Sequence, residues 1–127
     1  MKAEELRIGN YIDIYNHEYK IGLIAAKTVG LTFINKQILE CSILDINPIP
    51  ITEEWLLKFG FYYQASDKNY VVKSKQENYN SIKKIDSAWC YNNDDSDAAC
   101  YFVAELKYIH QLQNLYYALN EEELICE

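Results

Sequence analysis

The sequence predicts an α+β protein: an N-terminal small curled antiparallel β-sheet, a short helix, a second antiparallel sheet and a C-terminal helix. Three observations carry that expectation. Short, strand-like apolar runs broken by Gly, Asn and Asp recur through residues 6–46 and again through 61–106. Residues 47–61 read as a stiff Pro-Ile-Pro arm feeding a helix that stops at a glycine. Residues 107–120 repeat apolar side chains at helical spacing.

In chain order, Leu6 to Ile14 alternates around Gly9-Asn10, where Gly9 can supply a bend or a positive φ. Tyr15-Asn16-His17-Glu18 reads as a hairpin turn. Tyr19 to Ala26 and Leu31 to Ile34 read as strands with Gly30 as the turn residue between them. Asn35-Lys36-Gln37 is a polar break, and Gln37 to Ile46 reads as a last strand. Strands this short favour a curled sheet or a partly closed barrel. Gly9-Asn10 with Ile12, then Gly22-Leu23-Ile24, resembles the opening of SH3-like small barrels, so an SH3-like barrel is the candidate form of residues 1–47.

Residues 48–127 form the second expected unit, either separate from the first or continuous with it. Pro48 and Pro50 hold the approach extended. Thr52 is a helix N-cap, Glu53 and Glu54 suit the positive end of the dipole, and Lys58 suits the negative end. Ile51 and Leu56 have the spacing of a hydrophobic staple. Gly60 can take the left-handed conformation that ends a helix, giving a helix over 52–59 with Trp55, Leu56 and Phe59 on one apolar face. Phe61 to Gln64, Tyr70 to Lys73, Ser81 to Ile85, Ala88 to Tyr91 and Ala98 to Leu106 read as strands. Ser74 to Asn80 reads as polar and exposed, and Asn92 to Asp97 as a hairpin tip. Over 107–120, Tyr108, Leu112, Leu115, Tyr116 and Leu119 make an apolar stripe, with His110, Asn114 and Tyr117 on the opposite face. That face is the candidate interaction surface, because it carries uncharged hydrogen-bonding groups and a ring rather than Lys and Glu. Packing on the N-terminal unit is the competing reading.

Composition narrows the function. A formal net charge of −7 and a single arginine, Arg7, leave little for phosphate contacts, so no nucleic-acid partner is expected. No run is long enough to span a bilayer and no signal segment opens the chain, which makes a cytoplasmic protein with reduced cysteines the expectation. The 12 tyrosines against four phenylalanines suit a sheet with a wet face or an interaction surface.

Catalytic and metal signals are weak. Cys90 and Cys100 flank nine residues with no Cys-x-x-Cys and no adjacent histidine, unlike a structural zinc site. Counting a calcium loop from Asp94 puts Ala99 where the turn needs glycine. His17 and His110 are the only histidines, neither in a nucleophile motif, and no phosphate-binding glycine loop occurs. The expectation is therefore no catalytic residues, no metal and no cofactor.

Three blocks, Glu5 to Ile12, Pro48 to Phe61 and Ile109 to Leu119, resemble an uncharacterised family of small proteins from Bacteroidetes genomes and their phages. The resemblance implies a prophage or mobile-element accessory protein, with no activity attached. Where that family often has Thr-Gly before its last acidic residues, this chain has Asn120-Glu121, which removes a glycine helix stop. The expected function is non-enzymatic binding of another protein. The alternatives are an acidic decoy of a nucleic-acid-binding protein, and a small-ligand binder or enzyme with a tyrosine-lined pocket.

Overall fold

The computed structural model describes residues 3–24, 28–32, 38–92 and 104–126. It divides into two units, Met1–Pro50 with Tyr108–Asn114, and Ile51–Lys107 with Leu115–Glu127. The architecture is α+β, with two antiparallel sheets and two α-helices.

The first unit is a meander of β1 (Tyr11–Ile14), β2 (His17–Ile24), β3 (Thr28–Thr32) and β4 (Ile38–Ser42), paired in that order. Tyr15 and Asn16 take φ of 49° and 68°, so the β1–β2 turn is a two-residue primed turn whose twist matches its strands. His17 is the first residue of β2 rather than part of the turn. The register shifts between Ile21 and Leu23, a bulge at Gly22. Gly30, expected in a turn, lies inside β3 between Leu23 and Glu40. The strand expected over Gln37 to Ile46 stops at Ser42, whose hydroxyl accepts the Leu44 N–H and starts a 3-10 turn over Ile43–Asp45. The polar break Asn35 to Gln37 falls outside the described residues.

No strand pair among the described residues closes this sheet into a barrel. Among the described residues an isolated bridge reaches the outer edge of β1: the Asp13 N–H donates to the Asn47 carbonyl at 2.9 Å, and the Asn47 N–H donates to the Asp13 carbonyl at 2.8 Å. The core is Leu6, Ile12, Ile14, Ile21, Val29, Ile43 and Ile46. Burying each such side chain contributes roughly 1.5–3 kcal/mol.

The second unit opens with α1 (Glu53–Lys58). The Thr52 hydroxyl accepts the Trp55 N–H at 3.3 Å, as the cap requires. At the other end Gly60 has φ 91°, the Gly60 N–H donates to Leu57 and the Phe61 N–H to Leu56, which is a Schellman stop. Trp55, Leu56 and Phe59 are buried while Leu57 is exposed, so the helix has the expected single apolar face. Thr52→Ala is expected to cost about 1 kcal/mol; an unchanged urea midpoint would show that the cap contributes nothing.

The five-stranded sheet runs β5 (Tyr62–Gln64), β6 (Asn69–Lys73), β7 (Tyr79–Ile85), β8 (Ala88–Asn92) and β9 (Ala104–Leu106), each antiparallel to the next. The segment Ser74 to Asn80, expected to be exposed, has both ends buried: Ser74 turns the chain back onto Asn78, and Asn80 sits in β7 with its side chain inside. The tip at Asn92 to Asp97 lies, beyond Asn92, outside the described residues.

Helix α2 (Ile109–Asn120) starts later than the expected Lys107, because the residues before it are paired as extended chain. In the first unit Pro50 bridges Tyr108, and the Ile109 N–H donates to the Ile49 carbonyl at 2.8 Å. In the second unit the Ile51 N–H donates to the Lys107 carbonyl at 3.0 Å. The prolines lack N–H groups, and the isoleucines beside them supply the donor and acceptor. No described helix is long and apolar enough to cross a membrane.

Candidate ligand-binding cleft

The residues singled out on α2 part company. His110 is 3% exposed, Asn114 is half-buried, and Tyr117 is exposed. In the first unit Asn114 is spent on the segment Glu5 to Asn10. Its Oδ1 accepts from Asn10 Nδ2 at 2.9 Å and Arg7 Nη1 at 3.1 Å, and its Nδ2 donates to the Glu5 carbonyl at 2.9 Å. Gln113 completes the clamp. Its Oε1 accepts the Tyr11 N–H at 2.9 Å and its Nε2 donates to the Gly9 carbonyl at 3.0 Å. Asn10, fully buried, closes its own turn by accepting the Arg7 N–H at 2.6 Å. Gly9, at φ 99°, is the residue that this turn needs. Such a satisfied buried network fixes one arrangement, which is a structural task.

His110 stacks on Tyr108 with ring centroids 5.9 Å apart, and among the described residues its Nδ1 has no hydrogen-bond partner. Burial lowers its pKa from the usual imidazole value, against a smaller opposing pull from Glu5. Because the folded-state value lies below the unfolded one, the stabilisation from neutral His110 is complete above about pH 6.5 and is lost as the pH falls towards the folded-state pKa. His110→Gln is expected to flatten the loss of stability between neutral and mildly acidic pH; an unaltered slope would refute a buried neutral imidazole.

A second polar cluster lies in the second unit. Asn80 and Asn120 exchange amide hydrogen bonds at 3.2 and 3.0 Å, and the Tyr91 hydroxyl donates to Asn80 Oδ1 at 2.6 Å. The Tyr116 hydroxyl donates to Glu122 at 3.2 Å. Burial pushes the pKa values of Tyr91 and Tyr116 well up, so both remain protonated donors. With every partner internal, this cluster too is structural.

The unit's open chemistry is elsewhere. Ile51, Thr52 and Glu53 at the start of α1 face Tyr63, Lys68, Tyr70, Lys84 and Trp89 from the sheet across a cleft of about 490 Å³. The register explains the sheet side. Tyr63 pairs with Tyr70, and Lys84 with Trp89, so each pair shares one face of the sheet. The three rings form a chain: Tyr63 and Tyr70 centroids are 5.1 Å apart, Tyr70 and Trp89 6.1 Å. Trp89 Nε1 donates to the Ile51 carbonyl at 3.2 Å, which locks the indole. The Lys84 ammonium lies 5.8 Å from the Trp89 centroid. Burial first, then the hydrogen bond to Glu53, pushes the Tyr70 pKa up to about 12, keeping its hydroxyl a donor to that carboxylate. Among the described residues neither Lys68 nor Lys84 makes an ion pair.

Covalent and metal chemistry have little support in the described residues. Burial raises the thiol pKa of Cys41, with Asp45 adding, and of Cys90, with Glu105 adding, which keeps both as poor nucleophiles. No disulfide joins Cys41, Cys90 and Cys126, and Cys100 lies outside the described residues. Among the described residues no three His, Cys, Asp or Glu side chains cluster as metal ligands.

Sequence reading missed Asn10, Gln113, Asn80 and the cleft. One signal was available for α2: Ile109–Asn120 contains no Asp, Glu, Lys or Arg, and a helix so short of charge is buried on more than one side. Comparisons with family models, with curated proteins and with solved structures gave no match.

Proposed function

We propose that the chain acts by binding rather than by catalysis, and that the aromatic cleft of the second unit is where it takes a small ligand. The observation that carries the reading is the meeting of three linked rings and two lysines, neither in an ion pair among the described residues, around one opening. Its volume lies within the roughly 300–1,000 Å³ usual for ligand sites. The polar groups of Asn10, Asn114, Asn80 and Asn120, by contrast, are spent internally. A prophage or mobile-element accessory role, implied by the family resemblance, is compatible with such a binder.

Immobilised protein exposed to extract of its host is expected to retain a small molecule, identified by mass spectrometry. A Tyr63→Ala, Lys84→Ala double variant with unaltered melting is expected to lose it. Equal retention by parent and variant would refute the site. Protein–protein binding is the second reading, favoured by the exposed apolar side chains of Leu57 and Tyr62; a partner lost on Tyr62→Ala but not on the double substitution would favour it.

A further inference from the structure

We infer that the ligand of this cleft is a mononucleotide, a planar base carrying a phosphate; this rests on the cleft being the binding site. The chain has 19 acidic residues and 12 basic ones. Lys73 and Lys58 are met by Glu77 and Glu54 at 3.6 and 3.5 Å. Among the described residues Lys20, Lys68, Lys75, Lys83 and Lys84 form no ion pair, and of these Lys68 and Lys84 line the same cleft. With Glu53 as the single acid of the lining, the cleft carries a local positive balance inside a negative protein. That balance selects a compact anion and not a long polyanion, which the rest of the surface repels.

A bare anion leaves the rings unexplained. Tyr63 is 51% exposed, so one tyrosine ring is held in the open beside the lysines. The Tyr63 ring is tilted by 51° to that of Tyr70, and Tyr70 meets Trp89 edge-on at 60°, so the inner two rings brace the outer one and do not cover it. A flat ring system laid on Tyr63 gains stacking that tolerates any base. Its phosphate then falls to the ammonium groups, each an unhindered donor for a phosphate oxygen. Glu53 serves as an acceptor for a base amino group or a ribose hydroxyl, since its carboxylate has more acceptor positions than the Tyr70 hydroxyl occupies. An acidic peptide would satisfy the lysines but offers no obligatory planar group, and a nucleoside would satisfy the ring but not the cations.

The test uses the full chain in titrations with AMP, GMP, adenosine and inorganic phosphate, followed by the indole N–H resonance of Trp89 and backbone amides of residues 63, 68, 70 and 84. Saturable shifts confined to these residues are expected with AMP or GMP. Adenosine and phosphate alone should bind more weakly by about tenfold or more, the loss of one charge-assisted or stacking contact. Lys68→Ala and Lys84→Ala should each weaken AMP or GMP and leave adenosine unaltered, while Tyr63→Ala should weaken both. No saturable shift with either nucleotide would overturn the inference. So would phosphate binding as tightly as AMP, or a short single-stranded oligonucleotide binding more tightly than either nucleotide. Retention from host extract of a ligand that is not a nucleotide, lost in the Tyr63→Ala, Lys84→Ala variant, would overturn the nucleotide while keeping the cleft as the site.

Discussion

Trp55→Ala will lower the unfolding free energy by about 3–5 kcal/mol, the range for removing a buried large aromatic. Trp55 is buried on a helix of six residues, too short to persist in water without packing. Its ring contacts Phe59 at a centroid distance of 5.6 Å, so truncation leaves a cavity beside a second aromatic. Lys58 also lies over the indole, 4.8 Å from the centroid, and reaches Glu54 at 3.5 Å. The Lys58–Glu54 pair is on the solvent side, where a pair contributes about 0–1 kcal/mol. Urea unfolding of Trp55→Ala and Lys58→Ala should therefore separate widely. A Trp55→Ala midpoint equal to that of the parent would refute the packing role of α1.

The contrast between these two residues tracks what the sequence made legible. Helix α1 could be read because its determinants are adjacent: Thr52 caps Trp55 three residues on, and Gly60 stops the chain beside the last apolar position. Most strands were legible for the same reason, as alternation between turn residues, but Gly30, which looks like a turn residue, lies inside β3. The end of α2 was harder. Asn120-Glu121 replaces the glycine stop, yet the helix ends there: Glu121 takes φ 56°, its N–H donates to the Tyr117 carbonyl at 2.8 Å, and Asn120 Nδ2 returns to the Tyr116 carbonyl. A non-glycine residue bears the left-handed cost, and the helix stops at Asn120, the end expected from the sequence. Of the polar clusters only Asn114 was within reach, through the reading that its helix face packs on the N-terminal unit. Asn10 and Gln113 lie 103 residues apart, Asn80 and Asn120 40 apart, and an isolated amide in a polar stretch looks like surface until its partner is known. The cleft shares that difficulty, since Glu53, Tyr63, Lys84 and Trp89 come from α1 and three different strands.

Gln113→Glu will destabilise the protein in a pH-dependent way. Gln113 is fully buried, and its amide does two jobs that a carboxylate cannot do together. The oxygen accepts from Tyr11, which a carboxylate could continue to do; the nitrogen donates to the Gly9 carbonyl, where a carboxylate would set oxygen against oxygen. Losing the donor costs about 1–3 kcal/mol, more when the replacement is charged. Arg7 does not rescue the position, because its guanidinium engages Asn114, where Asn114→Glu would gain a cation and so report poorly on burial. Protonation does rescue it: a neutral carboxyl restores a donor for Gly9. Burial will hold the folded-state pKa of the new carboxyl above its unfolded value, near 4.3. The folded state then binds more protons, so the variant's deficit is small below about pH 4.3, grows as the pH rises, and levels off above the folded-state pKa. Gln113→Leu, with no titrating group, should show a deficit independent of pH. Urea midpoints of parent and both variants from mildly acidic to neutral pH measure this directly, and the His110 titration cancels because all three share it. A Gln113→Glu deficit that is absent, or constant across the pH range, would mean that this amide does not clamp the Gly9 turn.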